Sequence, residues 1–159
     1  MPAAPDACGD NPAAAKSDGK HLILLPPQDT KSNYLRGFWR WVEYLANDNY
    51  EMALESLFWT QPTTWTPDKF KERISRFFGG NEPWVPVIPN QRLIGVINNA
   101  AVFQPRNKEG WGWLLAQIPV TTKPQNPKDD QIPLMGLATS FFIREHKGNY
   151  VLDLEIFHV

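Results

Sequence analysis

Three histidines, one cysteine and two closely spaced carboxylates are the residues of this chain whose types and spacing invite a chemical reading. His21, His146 and His158 lie far apart and form no H-x-H or H-x-x-x-H pair, so no metal site is expected. Cys8 stands alone in "PDACGD", which rules out an internal disulfide and a cysteine-based zinc site. There is no G-x-S-x-G nucleophile elbow and no glycine-rich phosphate cradle, and "FFGGNEPW" reads as a helix stop. The last apolar run, "NYVLDLEIFHV", is the best remaining place for chemistry. Strict alternation puts Leu152, Leu154, Ile156 and His158 on one side, and Val151, Asp153, Glu155 and Phe157 on the other. If the leucines face the core, His158 faces it too, as a base or a hydrogen-bonding group. The plainer reading, a histidine satisfied by a backbone carbonyl, stands beside it. Asp153 and Glu155 then point outward, solvated or at a dimer face. Two neighbouring like charges on one face repel and make a poor acid–base pair.

The elements that must position these residues fall into two halves. From Ser32, taken as an N-cap, apolar residues recur at Tyr34, Leu35, Phe38, Trp41, Val42 and Leu45, the stripe of a helix ending near "ANDN". Tyr50, Ala53, Leu54, Leu57 and Phe58 continue as a second short helix. "TWTPDKFKERISRFFGG" gives the third: Thr66 caps, Pro67 takes the first helical position, Asp68 suits the dipole and Gly79 stops it. After Gly80, "QRLIGVINNAAVF", "WGWLLAQIPVTT", "PLMGLATSFFIRE" and "NYVLDLEIFHV" read as strands, with "RNKEG" and "HKGN" as hairpin turns and Asn98 and Asn99 at a bulge. "KPQNPKDDQIP" is a long polar loop. Residues 1–30 read as a mobile tail followed by an extended arm, "HLILLPPQ", and 31–159 as one domain. Helices first and hairpin-linked strands after make an α+β fold.

Three N-terminal helices ahead of a meander of about four strands resemble the nuclear transport factor 2-like (cystatin-like) superfamily. "FWRWVEYLANDNYEMALESL" is similar to its opening helix–turn–helix, and "TPDKFKERISRFFGG" to its third helix. The resemblance implies a cone, in which the helices close one face of a strongly curved antiparallel sheet and leave a pocket at the open end. Tyr34, Phe38, Trp41, Asn98 and His158 are the residues it would place at such a pocket. The superfamily contains ketosteroid isomerase-like enzymes, cyclases, dehydratases and non-catalytic binding modules, so the fold constrains function weakly. The isomerase pattern needs a tyrosine and a protonated acid as oxyanion donors and a carboxylate base. Between Gln91 and Thr122 the only acid is Glu109, in a turn.

Composition narrows the partners. With 16 basic and 17 acidic residues and no basic cluster, nucleic acid is not an expected partner. No apolar run approaches the ~20 residues of a membrane span. The compartment is open, with the cytoplasm favoured and export the alternative if a leader has been trimmed. Seven tryptophans exceed what a small core obviously needs. Trp111 and Trp113 share a strand face and, with Trp84, are assigned to a dimer or partner surface. The expectation is therefore a non-catalytic binding domain, without a cofactor, that holds a small apolar ligand or a protein partner and forms a homodimer. The alternative is an isomerase, cyclase or dehydratase using His158 and Tyr34.

Overall fold

The computed structural model describes residues 21–122 and 135–158; the expected tail and the polar loop lie outside them. Helix α1, Lys31–Ala46, starts at Thr30 and not at Ser32: the Thr30 hydroxyl accepts the amide of Asn33 at 3.1 Å. Its apolar stripe is buried from Tyr34 to Leu45 as the spacing predicts. Asp48 turns the chain with a φ of 60°, and the Asn49 side chain caps α2, Tyr50–Glu55. In α3, Pro67–Arg76, Thr66 accepts from the Lys69 amide at 3.2 Å, and Phe70 and Ile74 face inward.

The next segment departs from its reading as a strand. Gln91–Ala100 is a helix, α4, capped by Asn90, whose side chain accepts the Leu93 amide at 2.9 Å. The β-branched residues suggested a strand, but Leu93, Ile94 and Ile97 are spaced for a helix face, and an Asn directly after a proline is a good helix start. Asn98 and Asn99 therefore sit in a helix and not at a bulge. The helices are accordingly not all N-terminal.

The fold is α+β with a strongly curved antiparallel sheet. Strands β1 (Val85–Pro86), β2 (Val102–Gln104), β3 (Trp111–Thr121), β4 (Met135–His146) and β5 (Asn149–His158) are ordered β1-β3-β4-β5, with β2 also on β3. β1 pairs near Thr121 and β2 near Leu114, both on the edge of β3 that faces away from β4. The chain thus runs along that edge, leaves it as α4, and returns to it. β4 and β5 join through Lys147 and Gly148, both at positive φ, the tight turn that matches strand twist.

Between Ser140 and Phe141 the register slips: Phe141 faces Leu154 while Ser140 faces Ile156, leaving Glu155 as an inserted residue. Such a bulge breaks strict alternation. Past the insertion the backbone pairing resumes, position 157 with Thr139 and position 158 with Ala138. The expectation for Ile156 and His158 falls on side chains outside the described ones.

The core lies between the helices and the inner sheet face. Trp41 meets Phe141 edge-on at 5.1 Å and Phe70 at 6.2 Å, and its indole N–H donates to the Ala53 carbonyl at 3.1 Å. The arm closes one side: Leu22, Ile23 and Leu25 are buried, and Leu25 exchanges two 2.9 Å backbone bonds with Tyr150.

Candidate functional site

Of the residues expected at a pocket whose side chains are described, three lie in the core and one on α4. Tyr34, Phe38 and Trp41 are each 0% exposed, packed among one another's neighbours in the core. Asn98 accepts a hydrogen bond from Trp39 of α1, and the side chain of His158 is outside the described ones. The Tyr34 hydroxyl is already engaged, donating to Asp29 Oδ1 at 2.8 Å. Asp29 also accepts the Tyr150 hydroxyl at 3.1 Å and the Arg106 amide at 3.3 Å. Arg106 in turn donates to Glu145 at 2.9 Å and lies 5.1 Å above the Tyr150 ring. Burial, reinforced by the Asp29 carboxylate, pushes the Tyr34 and Tyr150 hydroxyls above their ordinary range. Gly112 is what admits the phenol: a Cβ there would overlap the Tyr34 hydroxyl and lie 2.9 Å from the Gln104 carbonyl. The cluster therefore joins the arm, α1, the β2–β3 turn and the β4–β5 hairpin, with the Tyr34 hydroxyl engaged inside it. Asp29 escaped sequence reasoning because its partners are up to 121 positions away.

The three tryptophans assigned to a partner surface are not together. Trp84 stacks edge-on against Phe78 at 5.3 Å near the β1 end of β3 and packs on the core. Trp111 and Trp113 lie at the other end of β3, on the outer face with Phe142, Leu115 and the exposed Val102. Trp111 meets Phe142 at 4.8 Å. The Trp113 indole donates to Glu155 at 3.1 Å, and Ser140 donates to the same oxygen at 2.8 Å. Asp153 is paired with Arg144 at 2.6 Å, so neither carboxylate is simply solvated. Burial raises the Asp153 carboxyl while Arg144 opposes the shift.

His21 lies 3.4 Å from Glu55, and His146 lies 5.2 Å from the Phe58 ring. Among the described residues no three His, Cys, Asp or Glu converge on one point, and no helix is long and apolar enough to cross a membrane.

An open groove of about 640 Å³ runs between α1 and α4. Leu35 and Trp39 contribute apolar surface, Lys31 and Arg36 contribute charge, and Gly95, Asn98 and Asn99 come from α4. The Trp39 indole donates to Asn98 Oδ1 at 2.7 Å, fixing the two helices at that level. Of the residues assigned to ligand binding whose side chains are described, Asn98 is the one that lines this groove.

No family model, curated protein or solved structure matches this chain.

Proposed function

We propose that this chain is a non-catalytic binding domain of the nuclear transport factor 2-like kind, and that it meets a protein partner, a second copy of itself included, through its outer surfaces. A contrast between two sets of rings carries this reading. Tyr34, Phe38 and Trp41 are fully buried and touch other core side chains. Trp111, Trp113 and Phe142 remain partly exposed on the outer sheet face, beside Val102 at 47% exposure. Partly exposed aromatic clusters of this kind are what buried interface centres are built from. The enzyme alternative is disfavoured because the Tyr34 hydroxyl is committed to Asp29 and walled by Gly112.

The reading is tested by titrating the protein with an apolar fluorophore while following melting temperature. No saturable one-to-one uptake is expected. Stoichiometric uptake with a rise in Tm overturns the reading in favour of an internal ligand site. Light scattering over a concentration series addresses the self-association: a dimer weakened by Trp113→Ser is expected, and a monomer throughout ends that part.

A further inference from the structure

We propose that the groove between α1 and α4 docks an acidic, partly apolar segment of a protein partner. This deepens, and rests on, the reading of the chain as a protein-binding domain. Charge comes first. Lys31 and Arg36 line the groove and meet no carboxylate among the described residues, and the lining itself contains no acid. Arg40 follows Arg36 by one helical turn, and Arg92 precedes Gly95 by three positions, so both exposed cations extend the same two helix faces. The whole chain carries a net charge of −1, which makes this a local concentration and not a general property.

Shape and ring chemistry come second. The cations stand at an open rim. A lone small anion there would gain little, because each exposed pair in water is weak. A segment with several carboxylates adds such pairs and gains steering as well. An apolar side chain between them would reach Trp39, the type of residue that dominates interface energetics together with arginine.

Gly95 supplies an independent observation. It sits in the interior of α4, where glycine is less favourable than alanine, and a Cβ at this position would meet nothing within 4 Å. Packing within this chain gives no reason for the missing side chain. Close approach of a partner along the groove gives one, since any side chain at position 95 would project into it.

The test uses the full chain labelled with ¹⁵N and a synthetic peptide of glutamates interleaved with leucines, against the same peptide with glutamine for every glutamate. Saturable amide shifts confined to residues 31–40 and 91–99 are expected with the acidic peptide and not with the neutral one. Arg36→Glu is expected to weaken binding by about tenfold or more without changing Tm. Gly95→Gln is expected to abolish binding while leaving the protein at least as stable. Equal binding of both peptides, indifference to Arg36→Glu, shifts centred elsewhere, no shifts at all, or saturation of the same amides by inorganic phosphate or a single-stranded oligonucleotide each overturn the proposal. A sealed interior combined with any of these results rejects the groove alone. Uptake of the apolar fluorophore rejects the underlying reading instead.

Discussion

The indole N–H of Trp39 on α1 and the amide oxygen of Asn98 on α4 lie 2.7 Å apart, across 59 positions of sequence. This bond matters because α4 is otherwise lightly held: Ile97 is its one buried residue. A helix of ten residues is not stable in isolation, so tertiary contacts must supply what local propensity does not. Trp39→Phe and Asn98→Ala should therefore each cost about 1 kcal/mol. In a double-mutant cycle from urea melts the two costs should fail to add. Hydrogen exchange should quicken in α4 before the sheet amides respond. Full additivity would show that the bond does not couple the helices.

Gly95→Ala should act in the opposite direction. The position is helical and the added methyl meets nothing within 4 Å, so the substitution removes an entropic penalty without creating a clash. A gain of about 0.5–1 kcal/mol is expected in thermal or urea unfolding. A loss of stability would mean that the position is crowded in solution.

Much of the first half was legible because its signals are local. Thr66, Pro67 and Asp68 mark the start of α3 within three residues, and the stripe from Tyr34 to Leu45 is buried as its spacing requires. Lys147 and Gly148 likewise announce a tight turn between two alternating runs. Two features were not legible, for different reasons. In Gln91–Ala100 residue preference and periodicity conflict, and the Asn90 cap together with packing on β3 settles the segment as a helix. The Glu155 insertion depends on what faces it across the sheet, which alternation within a single strand does not carry. The groove was legible only as Asn98, because its other wall combines Leu35, which sequence reasoning assigns to the core, with the exposed Arg36.

Tyr34 and Gly112 should be coupled through space. Gly112→Ala places a methyl against the Tyr34 hydroxyl and the Gln104 carbonyl in a packed region, and a cost of about 1–3 kcal/mol is expected. Tyr34→Phe removes the hydroxyl and its bond to Asp29, at about 1 kcal/mol. Combining them should cost less than the sum, because phenylalanine vacates the space that the methyl needs. The measurement is a double-mutant cycle from urea melts. Simple additivity would place the strain at Gln104 instead.

The tyrosines also set an alkaline limit. Burial raises the hydroxyls of Tyr34, Tyr50 and Tyr150, aided by Asp29 for Tyr34 and Tyr150 and by Asp48 for Tyr50. The unfolded chain releases these protons near the ordinary value of 10, whereas the folded chain keeps them to higher pH. Above that value the folded state binds more protons than the unfolded state, so unfolding free energy must fall as pH rises. Stability from these groups is complete below about pH 10 and is lost as pH climbs towards their folded values. Urea melts between neutral pH and pH 11 should show a steepening decline. Tyr34→Phe should make that decline shallower while lowering stability at neutral pH. An unchanged slope in the Tyr34→Phe protein would mean that Tyr34 ionises as freely in the fold as out of it, contrary to its burial against Asp29.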